Sequence, residues 1–306
     1  MTVYFIQAHR QPEQVAALAD LLLAAPDSFV MVSYDSVLPD ELRRDRPNYF
    51  ARTAARRIRR GDFSPLDEYL DALRWLRDAG IAYDWFVNLC GQCLPVQPVQ
   101  RIAEEIAGCG CDAVMHHFPI FSPASDWPAS EGDARLNFRY RKLVGRTLTK
   151  PERGALKCLT LANAVQPWVR IHTAYGLLLG TRTPRPAGLV FHGGSYFKYL
   201  SRACTEYLLD FCAGQPEVMD YFRHSLVPDE IFTQTILLNH PFRVSGDGKM
   251  FFRFTSGRGG HPRSLEPADL EHSAGRHFAR KFDFGSPAYQ LALARLSQSK
   301  VCGRDS

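Results

Sequence analysis

The chain has 306 residues, 45 % of them hydrophobic and 23 % charged, with a formal net charge of +5 at pH 7. That length and composition predict an ordinary globular protein, one large α/β domain or two small ones around a sizeable core, and exclude a disordered or fibrous chain. No apolar run reaches the roughly 18 residues of a membrane helix, and the mild positive excess suits an anionic ligand better than a surface that coats nucleic acid.

Thr2–Ala8 is a compact apolar run rich in β-formers and reads as a buried strand. Pro12–Ala25 carries Val15, Leu18, Leu21, Leu22 and Leu23 on a helical face, and Ser28–Tyr34 is a second strand ending at Asp35. A β-α-β opening predicts a parallel sheet, whose ligands bind outside the carboxyl ends of the strands. His9, Arg10 and Asp35 fall at such ends. Eight arginines crowd residues 43–60, and Arg52, Arg56 and Arg60 would share one helical face. That face is either solvated or turned toward an anion; few aromatics interleave, which argues against single-stranded nucleic acid. Leu66–Arg77 is an amphipathic helix, Tyr83–Leu89 a strand, Val96–Ala107 a helix and Asp112–His117 a strand. Residues 121–160 show little periodicity. Leu159–Leu179 reads as a helix. Gly188–His192 leads into Gly193-Gly194-Ser195, and Ser201–Cys212, Pro216–His224 and Asp229–Asn239 read as three short helices. Lys249–Phe254 is strand-like, and Leu270–His277 and Pro287–Ser297 finish the fold.

The opening MTVYFIQAHR has no basic leader before a long apolar stretch, which predicts a cytoplasmic protein with reduced thiols. Cys90-Gly91-Gln92-Cys93 has the spacing of a redox dithiol. A thioredoxin-type site starts a helix, where the dipole lowers the thiol pKa; here Cys90 follows an apolar strand and Pro95 comes two residues after Cys93. A zinc site needs about four ligands. Cys109, Cys111, His116 and His117 could supply them only at poor spacing. The remaining reading is two small, half-buried loop residues. There is no G-x-S-x-G and no phosphate-binding G-x-x-x-x-G-K-[ST]. There is also no D-x-D tripeptide, so a nucleotide diphosphate would have to be neutralised by arginine and lysine rather than by a metal held there.

Four segments, in order along the chain, carry a resemblance: His9-Arg10 with Asp35; YDWFVNLCGQCLPV (83–96); VFHGGSYFKYLSRACTEYLLDF (190–211) with SLVPDEIFTQTILLN (225–239); and MFFRF (250–254) with HPRSLEPADL (261–270) and HFARKFD (277–283). Together they resemble the core 2/I-branching β-1,6-N-acetylglucosaminyltransferases and the peptide O-xylosyltransferases, one glycosyltransferase family. The resemblance implies a GT-A-like, Rossmann-type α/β fold and a metal-independent inverting transfer from a UDP-sugar to a hydroxyl. The donor would be UDP-N-acetylglucosamine, with UDP-xylose as the alternative. A sugar-nucleotide-binding protein without transferase activity is a further alternative. The family varies where the two cysteines sit, which makes the C-x-x-C a coincidence of spacing.

By the same resemblance, Glu230 of "PDE" is the catalytic base, Lys281 of "FARKF" and Arg253 bind the diphosphate, and Arg258 competes with Arg253 for that role. His9 and Asp35 lie by the nucleoside, Gly194-Ser195-Tyr196 by the donor sugar, and Arg135 and Arg139 match acceptor residues loosely. No metal and no nucleic acid are implied. The family's animal members carry a membrane anchor; none is visible here, implying a soluble, bacterial-type member. One domain is expected: residues 1–120 as the nucleotide-binding half, 121–185 as a variable excursion, 186–285 as the catalytic and acceptor half, and 286–306 as a C-terminal helix and tail.

Overall fold

The computed structural model describes residues 1–144, 146, 148–255 and 262–302. Its centre is a seven-stranded sheet. The strands are β1 (Thr2–Ala8), β2 (Ser28–Tyr34), β3 (Tyr49–Thr53), β4 (Trp85–Cys90), β6 (Ala113–Pro119), β10 (His192–Ser201) and β11 (Val244–Ser245), in the spatial order β11-β6-β10-β4-β1-β2-β3. β1 pairs in parallel with β2 and β4, β2 with β3, and β6 with β11; β10 alone runs antiparallel, between β4 and β6. The chain is thus an α/β protein with a mostly parallel central sheet, as its opening predicts.

Both faces of that sheet are covered, which is why its strands read as continuous apolar runs. Along β1 the side chains alternate: Val3 and Phe5 enter one core, Tyr4 and Ile6 the other. The first core is roofed by α2 (Ser64–Asp78), α7 (Arg202–Gly214), α8 (Pro216–Arg223) and α9 (Phe232–Leu238). The second is roofed by α1 (Pro12–Leu23) and α3 (Val99–Ala107). A small sheet of β5 (Leu94–Pro95), β13 (Phe278–Ala279) and β12 (Met250–Phe251) extends beside it. This sheet shares a third core with α10 (Pro287–Cys302).

Several expectations need correction. Leu159–Leu179 is not one helix. It is a 3-10 turn at Lys157–Leu161, a four-residue α6 (Ala162–Val165), and strands β8 (Val169–His172) and β9 (Leu177–Arg182). With β7 (Phe138–Val144), these strands form an antiparallel sheet in the order β7-β9-β8. Gly176, at φ 108°, turns the chain into β9; a Cβ there would lie 2.6 Å from the Val144 carbonyl oxygen. The described residues of 121–185 also carry α4 (Ala129–Leu136) and α5 (Lys150–Leu156). Arg52, Arg56 and Arg60 share no helix. Arg52 lies in β3, where Glu68 and Asp71 of α2 bind its guanidinium at 2.7 and 2.6 Å, and the chain then runs as a loop to α2. Only Met250–Phe251 of the 249–254 stretch is strand, and the helix expected at 270–277 shrinks to a 3-10 turn at Pro267–His272.

Candidate active site

The carboxyl ends of β1, β2 and β4 open on the same side of the sheet, since the three strands are parallel. His9 and Arg10 leave β1, Asp35 leaves β2, and the Cys90–Cys93 turn leaves β4. Two tethers bring the distant 280–283 segment to this edge. Gln92 accepts a hydrogen bond from Arg10 Nη2 at 2.5 Å and donates to the Phe282 carbonyl at 3.2 Å. Gln14 of α1 donates to the same carbonyl at 3.1 Å.

The result is a concentration of positive charge. Burial first, and then Arg10 and Arg280, lower the pKa of Lys281. Burial first, and then Arg10, lower that of His9, which also feels Lys281. Arg280 lies over the Phe197 ring at 5.0 Å, and its Nε is buried without a hydrogen-bond partner. Burial works against its charge, but Cys90, Cys93, Tyr196 and Glu230 outweigh it and lift its pKa. Among the described residues, neither Arg280 nor Lys281 has a carboxylate in ion-pair contact. Arg10 and Arg280 repel the Lys281 ammonium; Asp283 offsets part of this at Lys281 and Glu230 part of it at Arg280, and a bound anion would relieve the rest.

Glu230 ends a 3-10 turn (Pro228–Glu230) just before α9 instead of starting the helix itself. Its Oε2 accepts from Arg135 Nη1 at 2.7 Å, and Oε1 makes no hydrogen bond among the described residues. Arg135, 8 % exposed, also binds Glu131 at 2.7 Å and lies 3.9 Å over the Trp127 ring. Burial works against its charge, but Glu230 and Glu131 outweigh it and lift the Arg135 pKa. Behind the turn, Lys198 is fully enclosed. Its ammonium donates to the carbonyls of Tyr196 and Asp229 at 2.8 and 3.0 Å. Burial pushes Lys198 down to about 8, while burial and then Glu230 push the Asp229 carboxyl up to about 7. The two bonds from Lys198 hold the backbone of the turn from inside the protein.

The other expected residues divide. Asp35 Oδ1 accepts the Ile58 N–H at 2.6 Å, so it braces the arginine-rich loop over the strand ends. The far end of that loop is tied to the Glu230 turn, because the Gly61 carbonyl accepts the Val227 N–H at 3.0 Å. Tyr196 donates to Gln7 Oε1, and the Ser195 carbonyl accepts from Gln234 at 2.7 Å. The missing side chain of Gly194 is explained by strand packing: a Cβ there would lie 2.0 Å from the His116 carbonyl oxygen. Arg253 is matched by Asp269 at 3.4 Å, a carboxylate it shares with Arg263. Arg139 is bound to Asp220 of α8 at 2.7 Å. Arg258 lies outside the described residues. Cys109 and Cys111 precede β6 whereas Cys90 ends β4, so the two cysteine pairs sit at opposite ends of the sheet. Among the described residues, no group of three or more His, Cys, Asp and Glu side chains could hold a metal ion.

Sequence reading missed Arg280, Gln92 and Lys198. Arg280 had a signal, its place beside Lys281 in HFARKFD; Gln92 and Lys198 act through contacts 190 and 31 residues away and had none. No family model matches the chain, and no curated protein matches it.

Proposed function

We propose that the chain is a metal-independent, inverting glycosyltransferase with a GT-A-like, Rossmann-type fold. It moves N-acetylglucosamine from UDP-N-acetylglucosamine to a hydroxyl of a glycan or small-molecule acceptor in β-linkage, with UDP-xylose as the second donor to test. The observation that carries this reading is the charge arrangement. Arg280 and Lys281, at the strand ends, have no carboxylate in ion-pair contact among the described residues, and Arg280 feels Glu230, a partly exposed carboxylate with one oxygen unengaged among those residues.

In this reading the Glu230 Oε1 takes the proton of the acceptor hydroxyl as its oxygen attacks the anomeric carbon. The bond from that carbon to the diphosphate breaks on the opposite face, so configuration inverts, as with the base of an inverting glycosidase. Charge grows on the departing UDP, and Lys281, Arg280 and Arg10 stabilise it where other transferases use a bound cation. Arg253, already matched by Asp269, is a weaker candidate for that task than Arg280. Among the described residues no helix is long and apolar enough to cross a membrane.

A thermal-shift series across UDP, GDP and dTDP and their sugars, followed by UDP release with a panel of hydroxyl acceptors, tests the proposal. A ligand at 100 times its Kd adds about 2.7 kcal/mol of stability, so UDP should raise Tm clearly without added metal. The reading fails if no nucleotide stabilises the protein. Nucleotide binding with no UDP release on any acceptor would leave only a sugar-nucleotide-binding protein.

A further inference from the structure

Cys90 and Cys93 span a tight turn rather than the first turn of a helix. The Cys93 N–H donates to the Cys90 carbonyl at 3.0 Å, which closes the turn. Their sulfurs lie 3.3 Å apart, and the Cys90 N–H points at Cys93 Sγ at 3.4 Å. A disulfide needs about 2.05 Å between sulfurs, so closure asks for a movement of little more than an ångström. The turn is braced on both sides. Gly91 N–H donates to the Gln7 carbonyl at 3.1 Å, and a Cβ on Gly91 would lie 2.8 Å from Val15 Cγ2.

The two sulfurs differ in what can reach them. Cys93 is fully buried, whereas Cys90 is half-buried at the carboxyl end of β4. Arg280 and His9 both act on Cys90. We propose that Cys90 and Cys93 form a peroxide-reactive dithiol, with Cys90 as the attacking sulfur and Cys93 as the resolving one. This goes beyond the transfer reaction and does not depend on it. The electrostatics agree with the assignment: a hydrogen bond from the Cys93 thiol first, and then Arg280, lower the Cys90 pKa, while burial raises that of Cys93.

The chemistry balances with a hydroperoxide as oxidant. The Cys90 thiolate attacks one peroxide oxygen; an S–O bond forms, the O–O bond breaks, and the departing oxygen takes up the proton lost by the thiol. Cys93 then attacks the Cys90 sulfur. The S–S bond forms, the S–O bond breaks, and the hydroxyl leaves as water with the Cys93 proton. Two electrons pass from the sulfurs to the peroxide, and with hydrogen peroxide the products are one disulfide and two waters. Exchange with a small dithiol then returns both thiols, the dithiol leaving as its own disulfide.

The test uses the full, reduced chain treated with hydrogen peroxide, quenched with N-ethylmaleimide and mapped by peptide mass. The peptide holding Cys90 and Cys93 should lose two hydrogens and become resistant to alkylation at least about tenfold faster than the exposed Cys158 is oxidised, because the greater thiolate character of Cys90 outweighs the greater exposure of Cys158. Dithiothreitol should restore both thiols. In Cys93→Ser, Cys90 should stop at the sulfenic acid and be captured by dimedone. Two fully alkylated thiols after Cys158 has been oxidised, or oxidation of the pair no faster than Cys158, would overturn the proposal. The wild-type mapping alone decides this should the variant fail to fold.

Discussion

Replacing Glu230 with glutamine separates a catalytic carboxylate from a merely structural one. The glutamine keeps the shape and one acceptor oxygen for Arg135, which retains Glu131 at 2.7 Å and the face of Trp127. What is lost is the charge on one hydrogen bond of 2.7 Å to a side chain that is 28 % exposed. Arg135 stays cationic, so its bond to the glutamine oxygen is still charge-assisted; what goes is the ion-pair attraction of a partly exposed pair, and folding should weaken by about 1 kcal/mol. In a chain of this size that lowers Tm by only about 2–5 °C. Transfer should suffer far more. Loss of a general base costs about 10²- to 10⁴-fold, or about 2.7–5.4 kcal/mol of transition-state free energy. The assay is UDP release with acceptor, run beside a UDP thermal shift on the same preparation. Turnover within tenfold of wild type removes Glu230 from the role. A fall in turnover matched by an equal fall in UDP affinity would show that the carboxylate shapes the donor pocket and is not the base.

Arg280→Ala and Lys281→Ala should each weaken UDP binding by about 10- to 150-fold, since a hydrogen bond to a charged group contributes about 1.5–3 kcal/mol; unchanged UDP titrations in both variants would move the phosphate site elsewhere. EDTA should leave the rate of UDP release unaltered, and a rate that collapses with chelator and returns with manganese would contradict the cationic account. Burial lowers the pKa of His9, His117, His172, His192 and His277 in the fold. A depressed native pKa gives stability that is present above the unfolded value near 6.5 and lost as pH falls through the native values, so denaturant melts should weaken from pH 7 to pH 5 by up to about 1.4 kcal/mol per pH unit for each proton taken up on unfolding. Flat or rising stability over that range would refute it. Gly61→Ala should destabilise by about 2–4 kcal/mol, because φ is 91° and a Cβ would fall 2.3 Å from Tyr175 Cγ; a Tm within 2 °C of wild type would show that the Tyr175 ring moves aside freely.

The alternation of strands and helices up to residue 120 is legible because each strand is buried on both faces and each helix carries one apolar stripe. The 159–179 segment is not, because Leu177-Leu178-Leu179 fits a helix face as well as a strand until the pairing of Leu179 with Arg141 and Ile171 decides it. Spacing alone also misled at Arg52, Arg56 and Arg60. A four-residue interval fits a helix, but the carboxylates of Glu68 and Asp71 on α2 fix Arg52 from a strand. In the site, Lys281 was nameable through a motif. The counter-charge that takes Arg253 out of the unpaired set, Asp269, comes from a 3-10 turn 16 residues further along, and nothing in the local pattern announces it.

The C-x-x-C shows where local reasoning stops for a physical cause. Two cysteines three residues apart meet in either of two backbones: the first turn of a helix, or a β-turn closed by an i to i+3 hydrogen bond. Pro95 and the preceding strand rule out the helix, and with it the dipole that lowers a thiol pKa in thioredoxin-like sites. They do not rule out the turn. There the sulfurs come together because the Cys93 N–H closes onto the Cys90 carbonyl, and the helix dipole is replaced by the hydrogen bond from the Cys93 thiol and then by Arg280, 190 residues away in the sequence. Gln92, inside that turn, is also the residue that joins Arg10 to the 280–283 segment. Oxidation of the pair should therefore reach the anion pocket. The UDP-induced rise in Tm should shrink after peroxide and return with dithiothreitol, and a rise that is the same in oxidised and reduced protein would show that the turn closes without moving Gln92.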